Sequence, residues 1–216
     1  MNTDLARRQM VLQQVRAWDV LSPDVLETLA TLKRENFVQP GWRSAAFADA
    51  PIPLGHGQSM FAPKLEGRIL QELNIKASDS ILEIGCGSGF LTACLATLGR
   101  EVHALDRLEA MVEMTRNNLT AAGIDNVTVE QRDVAQSMPE RRYDVVVVGG
   151  SIDTATAPFE ALLNDGGRLF VVCGRGANAS AMRIRKASNE RWVRESVFET
   201  ALPLLHGFEA PARLVF

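Results

Sequence analysis

Apolar residues recur at helical spacing in two places near the start of the chain. Between Thr3 and Trp18 they follow a three-to-four-residue period, which predicts a helix over this segment. A second helix is predicted from Pro23, because Ser22 is a favoured N-cap and proline suits the first helical position. Its apolar stripe consists of Val25, Leu26, Leu29 and Leu32.

The helical period breaks between Asn36 and Pro63. This stretch contains four prolines and three glycines together with several aromatic and aliphatic side chains. A connection of this length in a compact protein is usually functional or disordered. Because the apolar residues indicate packing, we predict a packed, functional loop.

From Pro63 onward, short β-rich runs alternate with helix-compatible segments. The predicted strands are residues 81–84, 102–105, 127–131, 145–148 and 169–172, and the predicted helices are 63–73, 89–98, 108–122 and 156–163. Alternation of this kind is typical of βαβ units in a mostly parallel, doubly wound sheet. The four consecutive valines at 145–148 indicate a central strand that is buried on both faces.

The pattern changes again near the C-terminus, where residues 182–187 and 192–199 alternate with period two around Ser188, Asn189 and Glu190. This predicts an antiparallel hairpin that completes the sheet. We therefore expect an α/β fold with a Rossmann-like, doubly wound, mostly parallel seven-stranded sheet, a C-terminal antiparallel hairpin and an N-terminal helical extension. Residues 1–62 would form the helices and covering loop, and 63–216 the main domain, as one compact unit.

The composition excludes several classes of protein. A hydrophobic content of 46% excludes disorder as the main state, and no apolar run approaches the roughly 20 residues that span a bilayer. The N-terminal segment carries the charged residues Asp4, Arg7 and Arg8 and lacks the apolar region of a secretory signal, so we do not expect such a signal. Three cysteines without paired spacing favour reduced thiols. We expect a soluble, cytoplasmic protein that does not bind membranes.

A glycine-rich turn follows the first predicted strand of the main domain, where residues 81–89 read ILEIGCGSG. Gly85 and Gly87 let the backbone approach a ligand closely, and the helix that begins near Ser88 and Gly89 offers unpaired N–H groups. The last glycine of a dinucleotide fingerprint is absent, which disfavours a dinucleotide site.

Three acids lie near the ends of three successive predicted strands. Asp106, followed by Arg107, comes about twenty residues after the glycines, where a carboxylate can accept both ribose hydroxyls of a nucleoside. Asp133, followed by Val134, is placed to face an adenine amino group. Glu83 precedes the glycines and is placed to orient the turn or to meet an amino-acid portion of the ligand. Together they predict a nucleoside site.

The segment from Glu83 to Gly89 resembles the first motif of class I S-adenosylmethionine-dependent methyltransferases. The resemblance implies that S-adenosyl-L-methionine is the cofactor, with its methionine portion in the glycine turn, its ribose at Asp106 and its adenine near Asp133. The alternative is a Rossmann-like protein whose glycine turn holds no cofactor.

Residues 49–63, DAPIPLGHGQSMFAP, resemble the loop that precedes this motif in protein-L-isoaspartate O-methyltransferases. Residues 34–38, 85–96, 166–169 and 201–204 resemble further segments of that family in the same order. The resemblance implies repair-type methylation of the α-carboxylate of isoaspartyl residues in proteins or peptides. Gln58 and Ser59 would cover the cofactor, and Ser59 would also meet the acceptor as the catalytic residue.

The chain departs from the family pattern at several positions. Phe61 stands where the family has a serine that is usually assigned to the active site, whereas Ser59 keeps the hydroxyl of the family threonine. Asp133-Val134 stands where the family has Asp-Gly after the third strand. Gly149-Gly150-Ser151 replaces the family's alanine-rich turn after the fourth strand. A carboxylate acceptor with a pKa of roughly 3.5–4 is already ionised at neutral pH, so its methylation requires no general base. Catalysis would then depend on alignment and electrostatics.

Two alternative functions fit the same motifs. One is a methyltransferase of the family that acts on RNA, with Phe61 stacked on a base, or on a small metabolite. The other is a non-catalytic relative that binds the cofactor. Six basic residues against one acid lie between positions 175 and 194, but with a pI near 5.7 they better suit the solvated face of an edge hairpin, so we do not expect nucleic-acid binding. His56, His103 and His206 lack metal-ligand spacing, so no metal is expected.

Overall fold

Nine strands and six α-helices make up the regular structure of residues 3–187 and 191–210, the ranges that this computed structural model describes. The strands are β1 (Ile52–Gly55), β2 (Gln58–Met60), β3 (Ser80–Ile84), β4 (Glu101–Asp106), β5 (Val127–Gln131), β6 (Tyr143–Ile152), β7 (Leu163–Cys173), β8 (Ser180–Lys186) and β9 (Trp192–Glu199). The helices are α1 (Thr3–Met10), α2 (Pro23–Thr31), α3 (Pro63–Leu73), α4 (Phe90–Leu98), α5 (Glu109–Ala122) and α6 (Ala157–Glu160).

Strands β3 to β9 form one sheet in the order β5-β4-β3-β6-β7-β8-β9. The first five strands in this order are parallel, whereas β8 is antiparallel to β7 and β9 is antiparallel to β8. The predicted fold class is therefore confirmed, including the antiparallel C-terminal hairpin. The winding reverses between β3 and β6, so the carboxyl ends of these strands form the crevice where doubly wound sheets bind ligands.

All seven predicted strands of the sheet are present, but β7 begins earlier than predicted. Leu163 already pairs with Tyr143, and the Tyr143 N–H donates to the Leu162 carbonyl over 2.8 Å. This pairing ends the preceding helix, so α6 has only four residues and the predicted helix over 156–163 is too long. The predicted hairpin turn at Ser188, Asn189 and Glu190 lies outside the described residues.

The stretch from 36 to 63 is packed, as predicted, but it contains a two-stranded sheet in addition to loops. Strands β1 and β2 pair in antiparallel register, with Ile52 opposite Met60. Three residues with positive φ, Gly55, His56 and Gly57, form the turn between them. Ile52, Leu54 and Met60 point into the core. The sequence pattern missed this hairpin because its strands have only four and three residues and the first contains a proline.

The N-terminal extension is helical, as predicted, but its first helix is irregular. After α1, the backbone continues as a π-helical turn over Val11–Val15 and a 3₁₀ turn over Arg16–Trp18. The second helix begins at Pro23, as the sequence predicts.

This extension packs against one face of the main sheet. Val15 and Leu29 are fully buried in the same apolar cluster as Val145 and Val147 of β6. Val146 and Val148 belong to a second cluster on the opposite face, so β6 is buried on both sides. The boundary between residues 62 and 63 stays a prediction. Within the described ranges, no helix has both the length and the apolar character needed to span a membrane.

Candidate functional site

The glycine-rich turn lies at the carboxyl end of β3 and opens α4. Gly85, Gly87 and Gly89 have φ values of +88°, +54° and +80°, which side chains other than glycine rarely adopt. The Gly85 N–H donates to the Leu105 carbonyl over 2.7 Å, so the turn is held against the end of β4. A Cβ atom on Gly89 would lie 3.2 Å from the Thr115 backbone, which shows that α5 packs closely beneath the turn.

Asp106 ends β4 beside this turn and is buried. Its carboxylate accepts hydrogen bonds from the N–H of Gly87 at 3.3 Å and from the N–H of Leu108 at 3.0 Å. Burial raises the pKa of Asp106, although these backbone hydrogen bonds partly oppose the shift. The side chain is therefore fixed at the rim of the glycine turn, and Arg107 beside it is exposed.

Asp133 follows β5 and is held in a turn of its own. Its Oδ1 accepts the Ala135 N–H at 3.0 Å, and its Oδ2 accepts the Gln136 side-chain amide at 3.1 Å. His206 Nδ1 lies 3.5 Å from the same Oδ2. Val134 is buried next to Asp133, so this wall of the cleft combines a carboxylate with an apolar surface.

Glu83 is the fourth of the five residues of β3, and its side chain is buried, with 1% exposed. Its Oε2 has no hydrogen-bond partner among the described residues. Burial raises the pKa of Glu83 to about 8, with smaller contributions from the charges of Asp106 and Glu66, although the neighbouring Thr92 hydroxyl opposes the shift. A buried acceptor without a partner is costly unless a ligand satisfies it.

The β1–β2 hairpin forms the opposite wall of the cleft. Gln58, Ser59 and Phe61 all face the cleft and are partly buried. The Ser59 hydroxyl makes no hydrogen bond within the described part of the chain, so it is available to a ligand. The Phe61 carbonyl accepts a hydrogen bond of 2.6 Å from Arg34, which anchors this segment from below.

The structure brings together ten of the eleven residues that the sequence predicts for the site. These cleft-lining residues are Gln58, Ser59, Glu83, Gly85, Gly87, Ser88, Asp106, Arg107, Asp133 and Val134. Gly89 does not line the cleft. It lies behind the turn, where contact with Thr115 requires the absence of a side chain.

Two further segments line the cleft that sequence reasoning did not assign to it. Gly149 and Gly150 lie at the end of β6, and a Cβ atom on Gly149 would come within 2.8 Å of the Ile84 and Gly85 carbonyl oxygens. Residues 203–206 run beside Ser151, which donates its N–H to the Pro203 carbonyl over 2.9 Å. In the sequence, the two adjacent glycines and the family-like segment at 201–204 are the features that could have indicated that these segments line the cleft.

Four of the six basic residues in the stretch near the C-terminus form close ion pairs with acids. Arg183 bonds to Glu72 and Glu195, and Arg194 bonds to Glu160. Arg175 pairs with Asp153 and Lys186 with Asp165. These ion pairs support the interpretation as the charged face of an edge hairpin and remove the main argument for binding a nucleic acid.

Comparisons with known proteins agree with this geometry. A family model described as protein-L-isoaspartate(D-aspartate) O-methyltransferase matches residues 6–205. The protein-L-isoaspartate O-methyltransferase of Trichlorobacter lovleyi is 31% identical over 196 residues, which is 90% of each chain. Protein-L-isoaspartate O-methyltransferase 1 of Rhodopseudomonas palustris is 35% identical over 179 residues, 82% of this chain and 72% of the relative.

Two solved structures share the fold. One is a provisionally named protein-L-isoaspartate O-methyltransferase from Plasmodium falciparum in complex with S-adenosyl-L-homocysteine, with a TM-score of 0.79, 19% identity and coverage of 93% of this chain and 98% of that one. Another protein-L-isoaspartate O-methyltransferase also has a TM-score of 0.79, with 21% identity and coverage of 94% and 67%. At these identities the likeness is one of fold.

Proposed function

The chain belongs to the protein-L-isoaspartate(D-aspartate) O-methyltransferase family, and we propose that it methylates the α-carboxylate of isoaspartyl residues in proteins and peptides with S-adenosyl-L-methionine as donor. The observation that carries the proposal is the cleft between the family-like β1–β2 hairpin and the glycine turn. Its polar groups suit a nucleoside linked to a cationic amino acid.

The residues present fit this cofactor. The Oε2 atom of Glu83, which has no hydrogen-bond partner among the described residues, is placed to accept the ammonium group of the methionine portion, and the glycine turn leaves room for close backbone contact. Asp106 would accept the ribose hydroxyls, and Asp133 with Val134 would border the adenine. The acids Glu83, Asp106 and Asp133 line the cleft, which suits a ligand that carries a positive sulfonium in addition to its ammonium.

The methyl transfer requires no general base from the protein. When bound, the cofactor supplies an electrophilic methyl group on a sulfonium. Glu83, Asp106 and Asp133 would hold the cofactor, whose methyl group would pass to an oxygen of the acceptor carboxylate while the electron pair of the broken carbon–sulfur bond would stay on sulfur. Because the acceptor is already ionised at neutral pH, this chain has to exclude water and align the two groups.

Ser59 is the residue that we assign to the acceptor. Its hydroxyl faces the cleft and has no partner within the described residues, so it can donate to the acceptor carboxylate. Phe61 faces the same cleft and offers only an apolar ring where the family has a serine. Replacement of Ser59 by alanine should therefore lower the rate about ten- to a hundredfold, since a hydrogen bond to a charged group contributes about 1.5–3 kcal/mol.

The proposal is tested by transfer of a radiolabelled methyl group to a peptide that contains one isoaspartyl residue. The matched control is the same peptide with a normal aspartyl residue at that position. We expect label only in the first peptide, in an ester that is lost in mild base. Label that is stable in base, or label that enters only RNA or small metabolites, would contradict the proposal.

Two variants then test the assignment within the cleft. We expect Ser59→Ala to lose activity and Phe61→Ser to keep or increase it, because the latter restores a donor beside the acceptor. Binding of S-adenosyl-L-homocysteine should change less than threefold in Phe61→Ser. Full activity of Ser59→Ala would show that the acceptor is held by other groups.

A further inference from the structure

Arg34 is completely buried beneath the cleft, and all the partners of its guanidinium belong to other segments. Its Nε donates to the Ala46 carbonyl over 2.8 Å, its Nη2 donates to the Phe61 carbonyl over 2.6 Å, and its Nη1 pairs with Glu66. Glu66 lies in the first turn of α3 and is 1% exposed. One side chain thus joins the loop at Ala46, the segment that follows β2 and the first turn of α3, at separations of 12, 27 and 32 residues from Arg34.

Arg34 also contacts the helix that follows the glycine turn. Its guanidinium lies 4.9 Å from the ring centroid of Phe90, the first residue of α4 after the glycine turn. Phe90 is itself held by an edge-to-face contact with Phe37, with ring centroids 5.4 Å apart. The residue that follows the β1–β2 hairpin and the helix that follows the glycine turn therefore contact the same buried cation.

We propose that Arg34 and Glu66 are positioning residues for methyl transfer, because their buried pair fixes residues 59–61 relative to the glycine turn. The inference rests on the proposed function, in which Ser59 meets the acceptor. Neither side chain touches the reacting atoms. They act through the Phe61 carbonyl, which is two residues from the Ser59 hydroxyl.

A lysine cannot replace this arginine. The planar guanidinium directs donors to three acceptors at once, whereas an ammonium on a flexible stem cannot reproduce that fixed arrangement. The chain supplies a matched control in Arg168, in the middle of β7. Arg168 also bonds to two carbonyls, those of Leu73 and Asn74, and to one buried carboxylate, that of Asp79. It lies outside the cleft.

The experiment compares Arg34→Lys with Arg168→Lys. We expect the first variant to lower kcat about tenfold or more, because a small misplacement of reacting groups costs a large factor in rate, and to change the peptide KM less than threefold. We expect the second variant to lose thermal stability but to keep kcat within twofold. Hydrogen exchange without cofactor should be about tenfold faster at residues 58–62 only in Arg34→Lys.

Two substitutions at Glu66 keep the proposal testable if Arg34→Lys does not fold. Glu66→Gln retains an acceptor oxygen for Arg34, so it should keep kcat within threefold and leave the exchange of residues 58–62 unchanged. Glu66→Leu removes the acceptor, so it should reproduce the effects of Arg34→Lys.

The outcomes separate this inference from the proposed function. If the wild-type protein labels no isoaspartyl peptide, the proposed function fails, and the exchange data still decide whether the pair holds the segment. If the wild-type protein is active but Arg34→Lys or Glu66→Leu changes neither kcat nor the exchange of residues 58–62, the positioning role is wrong. The positioning role is also wrong if Arg34→Lys and Arg168→Lys lose kcat equally.

Discussion

Glu83 links the protonation state of the cleft to ligand binding. Its pKa of about 8 means that the carboxyl is mostly protonated at neutral pH, whereas an ammonium ligand requires the carboxylate. Binding should therefore release close to one proton at pH 7. Between pH 6 and 7.5 we expect the affinity for S-adenosyl-L-homocysteine to rise about tenfold per pH unit. Titration calorimetry in two buffers of different ionisation enthalpy measures both quantities.

Glu83→Gln tests whether this residue is the source of the proton. The variant should bind more weakly and should show little pH dependence over the same range. Glu160→Gln changes a buried glutamate that does not line the cleft, so it should keep the wild-type slope. An affinity that is independent of pH in the wild-type protein would exclude the proposed contact with the ammonium group.

Residues at strand ends could be predicted from the sequence, because parallel strands bring their carboxyl ends to one edge of the sheet. This geometry accounts for Asp106 and Asp133. The buried pair of Arg34 and Glu66 could not be predicted in the same way. Its members are 32 positions apart, and charged residues in amphipathic segments are usually solvated. Only the packed structure shows that they meet.

The close approach of β6 to the glycine turn requires that position 149 has no side chain. An alanine Cβ at this position would lie 2.8 Å from two carbonyl oxygens, those of Ile84 and Gly85, and backbone atoms there cannot move independently. We expect Gly149→Ala to lower the free energy of unfolding by about 1–3 kcal/mol and to weaken S-adenosyl-L-homocysteine binding at least tenfold. Denaturant unfolding and calorimetry measure these effects.

Gly41 provides the control for this substitution. A Cβ at Gly41 would meet nothing within 4 Å, and its φ is not positive. Gly41→Ala should therefore leave binding unchanged and keep the free energy of unfolding within about 0.5–1 kcal/mol of wild type. Unchanged binding in Gly149→Ala would show that the turn can shift to accommodate a methyl group.

The accuracy of prediction at this scale depends on whether the local sequence marks the ends of an element. β5 and β9 were predicted with their observed ends, because β-branched or aromatic residues recur in both runs and turn-forming residues precede them. β1 and β2 are too short to show a period, and their pairing depends on a left-handed turn and on burial of Leu54. α6 was predicted too long because its end is set by a strand pairing of Leu163, a tertiary effect.

The ion pairs of the basic C-terminal stretch show that charges that are clustered in the sequence can be balanced by acids from other elements. Arg183 belongs to a basic stretch in the sequence, yet it bonds to Glu72, which is 111 positions away on α3. Arg194 likewise meets the buried Glu160. Folding therefore neutralises a local excess of positive charge with acids from other elements, whereas the cleft retains acids in excess. A ligand in the cleft would therefore be affected mainly by the acids that line it.

These buried acids should also control stability. Burial raises the pKa of Glu66 to about 7 and that of Glu83 to about 8, from an ordinary value near 4.5. The native state therefore binds more protons than the unfolded chain between about pH 4.5 and 8, so the free energy of unfolding falls as the pH rises through this window. Below it, carboxylates with a lowered pKa, such as Asp144, lose their partners on protonation.

The ligand-free protein should be most stable near pH 5–6 and less stable by about 2 kcal/mol or more at pH 8, as measured by urea unfolding. The double variant Glu66→Gln, Glu83→Gln should lose this decline, and a wild-type protein that is equally stable at both pH values would contradict the assignment of the two raised pKa values.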